Sequence, residues 1–154
     1  DWHGTVHMWV ADRTPEGKCR LLIQKRSQDK DNFPGYCDIS SAGHLDAGDD
    51  YDSAAYRELY EELGIRAEKG DLRFCFFITR SAETEFHGQK VIDREHAAVY
   101  LYEKTVDLTK LHLQKEEVDE VFWIDLEELE KILQDPTAKY CVYKEEIQGI
   151  KKYL

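Results

Sequence analysis

The segment that most restricts the fold is Asp49–Leu63. Ala55, Leu59 and Leu63 recur every four residues, so a helix over this stretch carries one apolar stripe that has to be covered. Asp49, Asp50 and Asp52 stand at its start, where carboxylates accept from unpaired backbone N–H groups and oppose the helix dipole. Gly64 supplies the stop. Around this helix the chain reads mostly as strands. Thr5–Ala11 alternates around Val6, Met8 and Val10, and Leu21–Lys25, Tyr36–Ser41, Leu72–Thr79, Lys90–Tyr102 and Val118–Ile124 follow. Arg13–Lys18 is a turn, and Ser27–Gly35 is a polar loop ending in Pro34-Gly35. A second helix is expected over Asp125–Gln134, and a largely helical tail from Pro136 to Leu154. Strands mixed with a central helix and late helices predict a two- or three-layer α/β domain.

No repeat, linker or low-complexity tract divides the 154 residues, so residues 1–154 are expected to form one domain. The hydrophobic share of 42% and charged share of 34% fit a soluble globular chain. No apolar run reaches the ~18–20 residues of a membrane helix, and the start Asp1-Trp2-His3 carries no signal-peptide pattern. The absence of an initiator Met suggests trimming upstream. Lys and Arg total 21 against 32 for Asp and Glu, a formal charge of −11. Such a surface repels phosphate backbones, which argues against a nucleic-acid duplex as partner. Cys19, Cys37, Cys75 and Cys141 form no CxxC and no zinc pattern. They read as reduced thiols of a cytoplasmic protein.

The chemistry concentrates in Arg57-Glu58-Leu59-Tyr60-Glu61-Glu62. At ~100° per residue, Glu58, Glu61 and Glu62 fall on one helical face. Three carboxylates on one face repel one another unless a hard cation neutralises them, and Mg²⁺ favours oxygen ligands shared with substrate phosphate. Upstream, Ser40-Ser41-Ala42-Gly43-His44 brings a glycine beside them, and glycine lets backbone carbonyls approach a metal closely.

From Gly43 to Ile65 the spacing resembles the Nudix box, G-x5-E-x7-R-E-U-x-E-E-x-G-U, where U is a bulky aliphatic. Every fixed position matches except the first Glu, which is Asp49. The wider resemblance runs from about Trp2 to Trp123, with Phe33-Pro34-Gly35 before the box and Glu120-Val121-Phe122-Trp123 after it. It implies a Nudix-type α/β/α sandwich with a mixed β-sheet. It also implies hydrolysis of the diphosphate linkage in a nucleoside diphosphate derivative or a related small diphosphate. By the same resemblance Gly43, Glu58, Glu61 and Glu62 would hold Mg²⁺ or Mn²⁺, Arg57 would orient the glutamates, and Glu61 or Glu120 would be the general base. Asp49, one methylene shorter than the family Glu, either still reaches Arg57 or weakens the site.

The upstream part is similar to the isopentenyl-diphosphate isomerase-like branch of that family. Leu21–Arg26, Lys30 and Phe33-Pro34-Gly35 align with a stretch that grips diphosphate, which places Arg26 and Lys30 on its phosphate-binding positions. A guanidinium fork and an ammonium suit that task. His7, His44, Asp93 and Glu95 match a second, His-rich metal site of the isomerases, with His3 too close to His7 to supply its remaining His. Imidazole with carboxylate suits Zn²⁺ or Mn²⁺. Ala42 stands where the isomerase has its catalytic Cys, and Glu61 where it has Tyr. A methyl group cannot do acid–base work, so this pattern points to hydrolysis. An isomerase-like enzyme and a non-catalytic ligand-sensing module are the alternatives.

Overall fold

The computed structural model describes residues 2–154. The strands are β1 (Trp2–Arg13), β2 (Cys19–Arg26), β3 (Cys37–Asp38), β4 (Ser41–His44), β5 (Leu72–Phe86), β6 (Gln89–Tyr102) and β7 (Val118–Asp125). The helices are α1 (Tyr51–Leu63), α2 (Leu126–Ile132) and α3 (Lys144–Lys151), with a short 3-10 turn at Leu108–Lys110. The seven strands form a mixed sheet in the order β3-β2-β1-β6-β5, with β4 paired to β1 and β7 to β2. β1 runs parallel to β6 and antiparallel to β2 and β4.

Strand alternation assigns the two faces. Val6, Met8 and Val10 of β1 pack under Ala54, Ala55, Leu59 and Leu63 of α1. Trp9 and Ala11 point the other way, into a cluster with Leu129 of α2 and Ile147 and Ile150 of α3. The sheet is therefore the middle layer of an α/β/α sandwich, as the resemblance implied.

Four of the differences from the sequence reading have a direct structural reason. The helix opens at Tyr51 rather than Asp49, because Asp50 is the N-cap and accepts from Ser53 N at 2.7 Å. The strand expected over Tyr36–Ser41 is two strands separated by Ile39-Ser40. Here β1 changes partner: it pairs with β4 through Met8 and with β2 from Ala11. Buried Ser40 closes the gap, accepting from Val10 N at 2.9 Å and donating to Leu22 O at 2.6 Å. β5 runs past Thr79 to Phe86, in a hairpin whose turn, His87-Gly88, has positive φ at both residues. The tail is helical only over Lys144–Lys151. Before it the backbone pairs with β3, Cys37 N donating to Lys139 O at 2.9 Å and Cys141 N to Cys37 O at 2.8 Å. All four cysteines are free thiols. Among the described residues no helix is long and apolar enough to cross a membrane.

Candidate active site

The change of partner along β1 opens a cleft of about 960 Å³, lined by β1, β2, β4, α1, β5, β6 and the segment before α3. On one wall α1 leans on β4. Glu62, almost fully buried, accepts from Ser41 Oγ at 2.6 Å and from Ala42 N at 2.9 Å. Burial pushes its carboxyl up to about 7, against the pull of those two donors. Burial also raises the Glu58 carboxyl, with Arg57 opposing and Glu61 reinforcing the shift. A cation placed against these groups would restore their charged forms.

Gly43 is required by Glu58. A Cβ built on Gly43 would lie 2.2 Å from Glu58 Cδ and 2.6 Å from Glu58 Oε2. The space a side chain would fill is where the carboxylate sits. Glu61 is the outermost of the three, its side chain 48% exposed. The donor set is wholly hard oxygen, which fits Mg²⁺ or Mn²⁺ and not a thiolate-seeking ion.

Arg57 ties this wall together. Its Nη1 lies 2.5 Å from Asp49 Oδ2, its Nη2 donates to His44 O at 3.2 Å and to Glu58 Oε1 at 3.4 Å, and its Nε is 3.9 Å from Glu61. The missing methylene of Asp49 is therefore bridged. Asp49 lies outside the helix, where the Asp46 N–H also donates to it at 2.8 Å. The bond to Arg57 holds the Asp49 carboxyl below the usual range and raises the guanidinium.

Arg26 and Lys30 line the cleft as well, but both are occupied. Arg26 bonds Asp38 at 3.1 Å and Asn32 O at 2.9 Å, which fixes the loop after β2. Lys30 pairs with Glu117. Glu120 does not reach the cleft. Its register partner is Lys25, so it shares the face opposite to that of Gln24 and Asp38, which do line the cleft. Glu116 and Glu117, just before β7, are the carboxylates that segment contributes.

The His-rich set is also rearranged. His7 is buried in the floor, with Nδ1 3.0 Å from both oxygens of Glu146 in α3, and Trp9 Nε1 donates to the same carboxylate at 2.8 Å. Burial alone would lower the His7 pKa, but Glu146 overrides it and the net shift is upward. The ligand-like group is instead His3, Asp93 and Glu95, with His3 Nε2 at 3.1 Å from Asp93 and 3.9 Å from Glu95. β1 already begins at Trp2, so His3 sits on the strand in register with Glu95. The His44 ring lies 5.2 Å from that of His3. Thr5, on β1 in register with His44, has a buried hydroxyl without a hydrogen-bond partner among the described residues.

Two residues of this cleft carry no signal in the sequence. Arg80 comes from β5, and its guanidinium lies 4.0 Å from the ring centroid of Tyr143, just before α3. Nothing in the local pattern of either residue marks it, since they meet only through the fold.

The NUDIX domain family model matches residues 2–145. The chain belongs to the Nudix family. Nudix hydrolase 3 of Arabidopsis thaliana is 39% identical over 145 residues, which is 93% of this chain and 18% of that protein. A protein described as an uncharacterized Nudix hydrolase of Clostridium acetobutylicum is 40% identical over 135 residues, 87% of this chain and 62% of its own length. The chain thus spans less than two thirds of either relative. Among solved Nudix structures, the NUDIX domain of Shewanella oneidensis NrtR complexed with ADP ribose superposes with a TM-score of 0.67 at 15% identity, covering 99% of this chain and 88% of that one. The C. elegans Ap4A hydrolase binary complex gives 0.61 at 21% identity, covering 98% and 94%. At these identities the likeness is one of fold.

Proposed function

We propose that this Nudix chain hydrolyses a diphosphate linkage in a small molecule, a nucleoside diphosphate derivative or a related compound, with Mg²⁺ or Mn²⁺ as cofactor. The observation that carries the reading is the packing of Glu58 into the space left by Gly43, with Glu61 and Glu62 on the same helical face. Three carboxylates gathered in this way cost folding energy that a bound cation recovers. A divalent cation held by Glu58, Glu61 and Glu62 would offset the negative charge that develops on phosphate oxygens.

The chain's own groups divide the remaining work. Ser41 and the Ala42 N–H fix Glu62, and Arg57 fixes Glu58. Glu61 is the exposed member, and on this reading its carboxylate takes the proton of the attacking water. Arg26 and Lys30 line the same cleft and would meet substrate phosphate by giving up their pairs with Asp38 and Glu117. On this reading His3, Asp93 and Glu95, with the His44 ring 5.2 Å from that of His3, would take a further cation. Ala42 lies opposite His7 in the β1–β4 pairing and offers no acid–base group, which disfavours isomerisation.

The test is hydrolysis of ADP-ribose, Ap4A and a set of non-nucleoside diphosphates, read as the product nucleotides and phosphomonoesters by chromatography, with Mg²⁺, with Mn²⁺ and with chelator. Turnover should require metal, and Glu61→Gln should lower it by at least ~10²-fold while the fold persists. Binding without turnover of every compound would assign the chain to ligand sensing. Equal turnover in chelator would remove the metal from the reading.

A further inference from the structure

The cleft is acidic. Glu58, Glu61, Glu62, Asp93 and Glu95 line it, and its basic side chains among the described residues are Arg26, Lys30 and Arg80. Two of these three are already neutralised, Arg26 by Asp38 at 3.1 Å and Lys30 by Glu117. Arg80 differs. Among the described residues no carboxylate lies within 4.0 Å of its guanidinium, although Glu95 is its register partner on β6. The side chain turns instead to the Tyr143 ring at 4.0 Å and makes one long bond, Nη2 to Cys141 O at 3.4 Å. It is half-buried, and its charge is felt at the cleft floor, where it opposes protonation of His7 and favours ionised Glu146.

A guanidinium presents five donors in a planar fork. Here an aromatic face and one carbonyl hold it without consuming its charge, so most of the fork is available. Positively charged groups already paired with carboxylates must give up that pairing to take a ligand anion, whereas Arg80 need not. We propose that Arg80 is a substrate-binding residue that determines specificity, its guanidinium taking a phosphate group of the substrate while the Tyr143 ring keeps it in place. The assignment rests on the diphosphate reading above. It adds that affinity depends on a residue outside the box, contributed by the β5 edge of the sheet and steadied by the segment before α3.

Inorganic pyrophosphate, titrated with Mg²⁺ into the full chain by calorimetry, reads the interaction without needing turnover. Arg80→Gln should raise its Kd by about tenfold or more, and Arg80→Lys should recover part of the loss, because an ammonium keeps the charge but not the fork. Tyr143→Ala should weaken binding about threefold, by freeing the guanidinium. With a turned-over substrate, Arg80→Gln should raise KM in the same proportion with kcat within about threefold, the signature of an interaction made equally in ground and transition states. Unfolding midpoints of all variants exclude a merely structural effect. A pyrophosphate Kd within twofold of the parent in Arg80→Gln overturns the proposal, as does a parent that binds no pyrophosphate. A fall in kcat with KM unchanged also overturns it. If the parent binds pyrophosphate through Arg80 yet hydrolyses nothing, the hydrolase reading alone has failed.

Discussion

The bond most exposed to a decisive test is the one that joins α3 to the floor of the cleft. Glu146 is 1% exposed and accepts from His7 Nδ1 at 3.0 Å and from Trp9 Nε1 at 2.8 Å. Breaking a buried ion pair by deleting one partner costs about 3–5 kcal/mol, because the remaining charge is left uncompensated. In Glu146→Ala the His7 ring can shed its proton, which relieves part of that cost, but the Trp9 N–H stays buried without an acceptor, worth about 1–3 kcal/mol. The lower end of the pair range, about 3 kcal/mol, is therefore expected. For a chain of this length that corresponds to a fall in Tm of about 6–12 °C. Glu146→Gln retains an acceptor for Trp9 and should cost about half as much. Urea unfolding followed by tryptophan fluorescence measures both, and m should not change. A cycle with His7→Ala isolates the pair, and its coupling should reach about 1–3 kcal/mol. A Glu146→Ala variant within about 1 kcal/mol of the parent, or a coupling below about 0.5 kcal/mol, would refute the reasoning.

The same pair sets a pH window. Glu146 is lowered from 4.5, so its stabilisation is present above that pH and is lost as pH falls through the folded value. His7 is raised from 6.5, so its share is full below that pH and is lost as pH rises through the folded value. With Arg80 and Asp38 the other charges acting on His7, the stability gap between parent and the double variant should be widest between pH 4.5 and 6.5, and a flat gap from pH 4 to 8 would count against it. Gly43→Ala should leave the fold within about 1 kcal/mol, since the clashing atoms belong to a flexible side chain. It should nonetheless weaken Mn²⁺ binding about tenfold or more by displacing the Glu58 carboxylate, as titration by paramagnetic relaxation would reveal. Leu59→Ala, at a fully buried position on the inner face of α1, should lose about 2–5 kcal/mol in urea unfolding, and a loss under 1 kcal/mol would mean the stripe is not the core contact described.

What could be read in advance follows from how far apart in sequence the interacting groups lie. The α1 stripe, its Asp50 cap and its Gly64 stop are local, and so is the spacing from Gly43 to Glu62, which is why that wall of the cleft was legible. The fold class was legible for the same reason, since alternation along β1 already separates Val6, Met8 and Val10 from Trp9 and Ala11. The partner change along β1 was not, because it depends on Ser40 bonding to Val10 and Leu22, residues 30 and 18 positions away. Nearness to Trp123 points to Glu120, but strand parity turns it to the other face. Spacing to His7 alone argues against His3, whereas its neighbours Asp93 and Glu95 are supplied by the parallel pairing with β6.

The two walls of the cleft therefore differ in kind. The box wall is one continuous stretch, in which Arg57 reaches back to Asp49 and His44 and the glutamates face the strand just before them. Its geometry is fixed as soon as α1 docks on β4. The opposite wall is assembled from β2, β5 and the segment before α3, and its charges are set by pairs such as Arg26–Asp38 and His7–Glu146 that close over long loops. On the proposed reading, substitutions there should change which anions fit without disturbing the carboxylates on α1. A fold divided in this way can hold one reaction constant while its choice of substrate varies, and on the proposal above the residues that make the choice lie among long-range contacts such as Arg80 with Tyr143 rather than in the box.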